Sequence, residues 1–167
     1  MKTFKLFTKE ECANILDDIL KNYESSYINR EFESDSSSYY KIEITKKTWY
    51  YHRIKKWFTN ELNLGETDGY LTLFFYKQGD RFPIHVDRIP QTEFYYDAVY
   101  NVNIMLNEDY EGGEFILDNV EYKQPAGMVY YYESTKPHGV KVVKSGLRYT
   151  LIYFVRERDF KSNKSIL

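Results

Sequence analysis

The chain has 167 residues, of which 43% are hydrophobic, 29% charged and 19% aromatic. That is enough for one domain with one substantial core and too short for a catalytic domain plus a separate peptide-binding domain, so a single domain over 1–167 is expected. A net charge of −2 gives no overall basic field to draw nucleic acid or anionic lipid, and the single cysteine, Cys12, excludes an intramolecular disulfide.

At the N-terminus, Met1 to Phe7 meets Lys9-Glu10-Glu11 before the apolar run of a signal peptide develops, and apolar runs elsewhere are too short to span a bilayer. A cytoplasmic protein with no membrane partner is expected. Thr8-Lys-Glu-Glu11 has the form of a capping box, and Ile15, Leu16, Ile19, Leu20 and Tyr23 then recur at helical spacing, predicting a helix with one buried face. Cys12 reads as a small buried hydrophobe within it. Residues 31–41, with Asp35-Ser36-Ser37-Ser38, read as a loop. From Thr48 to Leu62 a stripe of Tyr50, Ile54, Trp57, Phe58 and Leu62 predicts a second helix. His52 lies off that stripe, which assigns it to solvent rather than to a metal. Residues 1–69 therefore read as mostly helical support.

From Tyr70 the pattern changes to short aromatic and β-branched runs broken by Gly, Asn, Asp and Pro: Tyr70 to Lys77, Tyr95 to Leu106, Glu114 to Leu117, Met128 to Tyr132, Val140 to Val143 and Leu147 to Val155. Residues 70–155 are expected to form an antiparallel β core, with 156–167 as a tail. The class is mainly β (α+β). Closing such strands into a two-sheet jelly roll removes most of the edge problem and leaves a cavity between the sheets.

Within this region His85-Val86-Asp87 places an imidazole and a carboxylate two residues apart, on one face of an extended backbone. Two histidines and one carboxylate form the facial triad of non-haem Fe(II) oxygenases. Of the three histidines in the chain, His138 is the remaining donor once His52 is set aside. An H-x-D pair alone arises by chance in many proteins. Its surroundings are more specific: Tyr76-x-x-Gly79-x-x-Phe82-x-x-His85-x-Asp87, then Leu106-Asn107-x-x-Tyr110-x-Gly112-Gly113-Glu114, then Pro125-Ala-Gly127, then Pro137-His138-Gly-Val140, then Gly146-Leu-Arg148-Tyr149-Thr150.

In order and spacing these blocks resemble the prolyl 4-hydroxylase-like branch of the 2-oxoglutarate/Fe(II)-dependent dioxygenases, over roughly residues 70 to 155. The resemblance implies a double-stranded β-helix (jelly roll, cupin-like) with about two N-terminal helices buttressing one sheet. It implies His85, Asp87 and His138 as iron ligands, Arg148 as the clamp on the distal carboxylate of 2-oxoglutarate, and Tyr76 near the cosubstrate. Tyr76 reads almost equally as a core aromatic. Arginine presents a planar fork that meets a carboxylate bidentately, and Thr150, two residues on, should face the same way with its hydroxyl. Many prolyl hydroxylases of this branch carry lysine at the Arg148 position, which preserves cosubstrate binding and weakens the prolyl assignment.

The activity implied is hydroxylation of an unactivated C–H bond, with 2-oxoglutarate and O2 converted to succinate and CO2, and with ascorbate as an admissible accessory. The Asp87 carboxylate argues for hydroxylation, since related halogenases lack that ligand. The substrate implied is a peptide or protein residue, proline favoured, or a free amino acid. Oxidative demethylation of nucleic acid is a second reading, disfavoured because those enzymes carry a further arginine where this chain has Phe154. A catalytically silent jelly-roll binding module is a third. Arg88 to Asp97, with Phe94, Tyr95 and Tyr96, reads either as a lid over substrate or as a static packed loop. Tyr130-Tyr131-Tyr132 reads as strand, because adjacent residues face opposite ways. If 138–155 were a tight hairpin, Arg148 would lie far from His138, so their strands are expected in opposing sheets.

Overall fold

The computed structural model describes residues 2–31, 36–63, 65–87 and 98–160. Thirteen strands and two α-helices follow in chain order: β1 (Lys2–Lys5), α1 (Lys9–Asn22), β2 (Ser26–Glu31), β3 (Ser36–Ile44), α2 (Trp49–Leu62), β4 (Tyr70–Tyr76), β5 (Phe82–His85), β6 (Ala98–Met105), β7 (Tyr110–Gly112), β8 (Phe115–Leu117), β9 (Val120–Tyr122), β10 (Met128–Glu133), β11 (His138–Val140), β12 (Val143–Gly146) and β13 (Arg148–Arg156). A seven-stranded antiparallel sheet has the order β1-β10-β6-β13-β4-β3-β2. A four-stranded sheet, β5-β11-β8-β9, and a two-stranded sheet, β12-β7, complete the double-stranded β-helix expected from the sequence.

Period-two alternation along the large sheet builds a separate core on each of its faces. On β13, Tyr149, Leu151, Tyr153 and Val155 join Leu71, Leu73 and Phe75 of β4 in a core closed by the two helices. Cys12, Ile15 and Ile19 of α1 and Tyr50, Ile54, Trp57 and Phe58 of α2 supply its other wall. The helices start where the sequence places them: Thr8 and Glu11 form a reciprocal capping box, and the Thr48 side chain accepts from the Tyr51 backbone N–H. Cys12 is 1% exposed in this core, and burial pushes its thiol up to about 11. His52 is exposed, as expected. The opposite face carries Phe74, Tyr76, Tyr130, Tyr132 and Ile152, which pack against Phe115, Leu117 and Val140 of the small sheet.

Four expectations need correcting. Residues 36–44 are a nine-residue strand rather than part of a loop, and with β2 they extend the large sheet by two strands. The serines that suggested a loop are accommodated because they are small: Ser37 is fully buried, and the Ser38 backbone N–H donates to the Arg81 carbonyl at 3.0 Å, tying β3 to the small sheet. The first 69 residues therefore contribute three strands as well as two helices. Val140 to Val143 is two strands in two different sheets, broken at Lys141-Val142. Residues 156–160 are packed: Arg156 makes a bidentate pair with Asp159, and Phe160 forms a bridge with Thr67. Residues 88–97, where a lid was considered, lie outside the described residues.

Gly127 joins β1 to this frame. Its carbonyl accepts from the backbone N–H groups of Leu6 at 2.9 Å and Phe7 at 3.3 Å, and its φ is +83°. A Cβ there would lie 1.9 Å from the Phe7 oxygen, so only glycine fits. No helix among the described residues is long and apolar enough to cross a membrane.

Phe58 is fully buried and meets the Tyr100 and Tyr153 rings edge-on at 5.9 Å each. Phe58→Ala is expected to cost about 3–5 kcal/mol of unfolding free energy, whereas Leu20→Ala should cost under about 1 kcal/mol, because Leu20, expected on the buried face of α1, is exposed. Urea titration of both variants checks the pair.

Candidate active site

The antiparallel pairing of β5 with β11 sets His85 directly opposite His138. Their ring centroids are 4.3 Å apart. Asp87 lies on a bend just beyond the end of β5, rather than on the strand as the alternation rule suggested. The bend is fixed by its backbone N–H donating to the Ser134 carbonyl at 3.0 Å. The three side chains still converge: each offers a ligand atom, and these atoms lie within 4.8 Å of one another. Asp87 is 4% exposed, with Oδ1 at 3.1 Å from His85 Nε2 and Oδ2 at 3.4 Å from His138 Nε2.

Second-layer contacts set which nitrogen faces the carboxylate. His85 Nδ1 lies 2.9 Å from the Pro83 carbonyl and His138 Nδ1 lies 2.8 Å from the Lys136 carbonyl. A carbonyl only accepts, so each Nδ1 carries a hydrogen and each Nε2 faces the carboxylate, donating to it when the ring is protonated and offering a lone pair once a metal takes that proton's place. Phe82 stacks on His85 at 4.3 Å, and Tyr132 lies 4.9 Å from His138, holding both rings in place. The Asn101 side-chain amide donates to Asp87 Oδ2. Burial alone would raise the Asp87 carboxyl, but hydrogen bonds and charge from His138 and His85 outweigh it and hold the group well below the usual carboxylate range.

Arg148 opens β13 in the large sheet, opposite the small sheet that carries His138, as the sequence argument required. It is fully buried, its Nε donates to the Gly113 carbonyl at 2.8 Å, and its guanidinium lies 5.3 Å above the Tyr76 ring. Register pairs Arg148 with Tyr76, which is itself 1% exposed. Asn107 braces the backbone on both sides, donating to the Leu147 carbonyl at 2.6 Å and accepting from the Tyr149 N–H at 2.9 Å. Gly113 has φ +62°, and a Cβ there would press on Arg148 Cδ at 3.0 Å, which explains the glycine beside the guanidinium. Thr150 shares the face of Arg148, as expected. Its hydroxyl is already directed to the Asn103 side-chain oxygen, with the Ile104 carbonyl at 3.2 Å.

The triad, Tyr76 and Thr150 line one cavity of about 50 Å³ between the sheets. Asn101, Asn103, Tyr39 and Tyr132 also line it, and sequence reasoning did not single them out as site residues. The Asn101-Val-Asn103 alternation inside a strand was the available signal. The Tyr130–Tyr132 run is indeed strand, with Tyr131 in the helix-side core and Tyr130 and Tyr132 on the cavity side.

The triad and the buried Arg148 both fit charged guests. Three lone-pair donors of imidazole and carboxylate type, with the imidazole hydrogens turned outward, suit a divalent first-row metal. Arg148 Nη1 is buried with no hydrogen-bond partner, an uncompensated donor that an anionic carboxylate would satisfy.

The model of the 2OG-Fe(II) oxygenase superfamily matches residues 71–156, just over half of the 167 residues. The chain belongs to this superfamily. Membership implies Fe(II) and 2-oxoglutarate as the cofactor and cosubstrate of the family. It is similar to a PKHD-type hydroxylase of Picosynechococcus sp., with 32% identity over 91 residues, 51% of this chain and 42% of that protein. The match thus spans well under half the length of that curated relative. Among solved structures, a prolyl-4-hydroxylase of Pseudomonas putida superposes with a TM-score of 0.71 at 17% identity, covering 93% of this chain and 91% of the other. A viral collagen prolyl hydroxylase of Paramecium Bursaria Chlorella virus-1, in its 2OG complex, gives 0.70 at 16% identity, covering 93% and 94%. At these identities the likeness is one of fold.

Because the folded Asp87 carboxyl is depressed, it contributes stability that is complete above the ordinary carboxylate value of about 4 and is lost as pH falls below that toward the folded value. In metal-free protein the stability gap between wild type and Asp87→Asn should therefore be full at about pH 6 and narrow below about pH 4. Urea unfolding across that range measures it.

Proposed function

We propose that this oxygenase hydroxylates an unactivated C–H bond of a residue within a peptide or protein, proline being the favoured target. The observation that carries the reading is the convergence of His85, Asp87 and His138 in a cavity whose wall includes Tyr76, with the buried, part-unpartnered guanidinium of Arg148 lying over that tyrosine ring. In this reading His85, Asp87 and His138 hold Fe(II), and Arg148 clamps the distal carboxylate of 2-oxoglutarate, with Tyr76 and Thr150 beside it. When bound, the iron and cosubstrate supply the O2-dependent oxidising chemistry, yielding succinate and CO2 alongside the hydroxylated product.

The chain's own residues supply position and exclusion. The Pro83 and Lys136 carbonyls keep the hydrogens of both imidazoles on Nδ1, so Nε2 is free to ligate. Asn101 orients Asp87, directing one carboxylate oxygen by its amide. Gly113 and Asn107 fix the direction of Arg148 before a ligand arrives, so little rotamer freedom is lost on binding. Tyr132 and Tyr76, buried among apolar rings, are held neutral by that burial and help keep water from the reacting centre.

Succinate formation by Fe(II)-loaded protein, given 2-oxoglutarate, O2, ascorbate and proline-containing peptides, tests the reading. Iron- and 2-oxoglutarate-dependent turnover stimulated by peptide is expected; none under any condition would favour a silent binding module. Asp87→Ala should lose both iron binding and turnover, because the one anionic donor is gone. Arg148→Ala should raise the 2-oxoglutarate concentration for half-maximal rate by about 10- to 100-fold, the loss of a charge-assisted contact worth about 1.5–3 kcal/mol. Full activity of Asp87→Ala at ordinary cosubstrate levels would refute the ligand assignment.

A further inference from the structure

Beyond the triad the cavity continues toward the end opposite Arg148, and its wall there is aromatic. Residues 148, 150, 152 and 154 share the cavity face of β13, so Phe154 stands roughly 20 Å along the strand from Arg148. Phe154 pairs in register with Asn101, whose amide holds Asp87, which puts its ring beside the triad. Arg148 is fully buried while Phe154 and Phe82 are half-buried, so among the described residues the Phe154 end is the more open. From there the rings are continuous: Phe154 to Phe74 at 6.2 Å, Phe74 to Tyr39 at 4.6 Å, Tyr39 to Phe82 at 5.2 Å and Phe82 to His85 at 4.3 Å.

The charge content of this wall is as informative as its shape. Among the described lining residues the ionisable groups other than tyrosines are His85, Asp87 and His138, and these face one another. Asn101, Asn103 and Thr150 are neutral: the Thr150 hydroxyl donates to Asn103, and Asn101 donates to Asp87 while its Oδ1 stays a buried, unpartnered and uncharged acceptor. A cation or anion entering from the Phe154 end would leave water without a counter-charge, which is costly in a slot walled mainly by aromatic rings. A free amino acid must bring both charges in with it, because its reacting carbon lies only a few bonds from the α-ammonium and α-carboxylate. In a polypeptide those same positions are neutral amides.

We infer that Tyr39, Phe74 and Phe154 are specificity-determining residues, selecting an uncharged apolar side chain presented within a polypeptide and rejecting both charged side chains and free amino acids. This rests on the hydroxylase reading above and narrows it. Tyr39 comes from β3, outside the segment matched by the superfamily model, so the selecting wall is partly this chain's own.

The test uses protein loaded with Fe(II) and 2-oxoglutarate under nitrogen, titrated calorimetrically with blocked pentapeptides of central Pro, Leu, Lys or Glu, and with free proline and leucine. The Pro or Leu peptide should bind at least about tenfold more tightly than the Lys and Glu peptides and the free amino acids. Phe154→Asp should shrink that ratio by about tenfold, Tyr39→Ala by a lesser factor, and Phe154→Leu should restore it. Binding of a charged peptide or a free amino acid within about threefold of the best apolar peptide, or no binding of any probe, overturns the inference. So does an unchanged ratio in Phe154→Asp, and if that variant fails to fold, the wild-type comparison still decides. Titration of 2-oxoglutarate into the same Fe(II)-loaded wild type reports the hydroxylase reading separately: its failure sinks that reading, while a normal 2-oxoglutarate isotherm with no apolar preference sinks only this one.

Discussion

One strand does two jobs in this molecule, and the two-residue repeat of the extended chain is what permits it. Along β13, Tyr149, Leu151, Tyr153 and Val155 serve the helix-side core, while Arg148, Thr150, Ile152 and Phe154 face the cavity. Neither set can be altered by a shift of register, because a slip of one residue would exchange them and drive an arginine into an apolar core. The helices, which touch no part of the site, act through this coupling. By burying the odd-numbered side chains, α1 and α2 hold the even-numbered ones in the only phase that points them at the triad.

The same arrangement makes the cavity electrostatically demanding. Asp87 and Arg148 are both buried, and an isolated charge in such surroundings is strongly unfavourable. Asp87 is compensated by two imidazoles and an amide, yet Arg148 retains an unpartnered nitrogen. A chain selected for stability alone would place an apolar residue at position 148. The charge is affordable because the surrounding aromatic core is large, and it prepares the cavity for an anion before one arrives.

How far the sequence disclosed this depended on whether the signal was local or distributed. The His85-x-Asp87 pair, His138 and Arg148 carry chemistry that few other residue types replace; the structure brings the first three together and sets Arg148 over Tyr76 of the same cavity. The helices were legible from Thr8, Glu11 and Thr48, whose side chains cap their own neighbours. Strand β3 was not, since Ser36-Ser37-Ser38 has poor strand propensity and is held by partners distant in sequence, the Arg81 carbonyl and β4. Asn101 and Asn103 were missed for a related reason: two amides in an apolar run declare a site only once Asp87 and Thr150 are seen against them. Asp87 itself shows the limit of a pattern rule, because its direction comes from a bend anchored on Ser134 and not from strand alternation.

His85 and His138 face each other across a single pair of short strands, four and three residues long. Strands so short have little register specificity of their own, and a slip of one residue would turn the imidazole of the slipped strand away from the other. A divalent cation that needs both rings and Asp87 binds the native pairing and no other, so it lowers the free energy of that pairing alone. Metal binding at these three residues would then favour the correctly zipped small sheet over a slipped one.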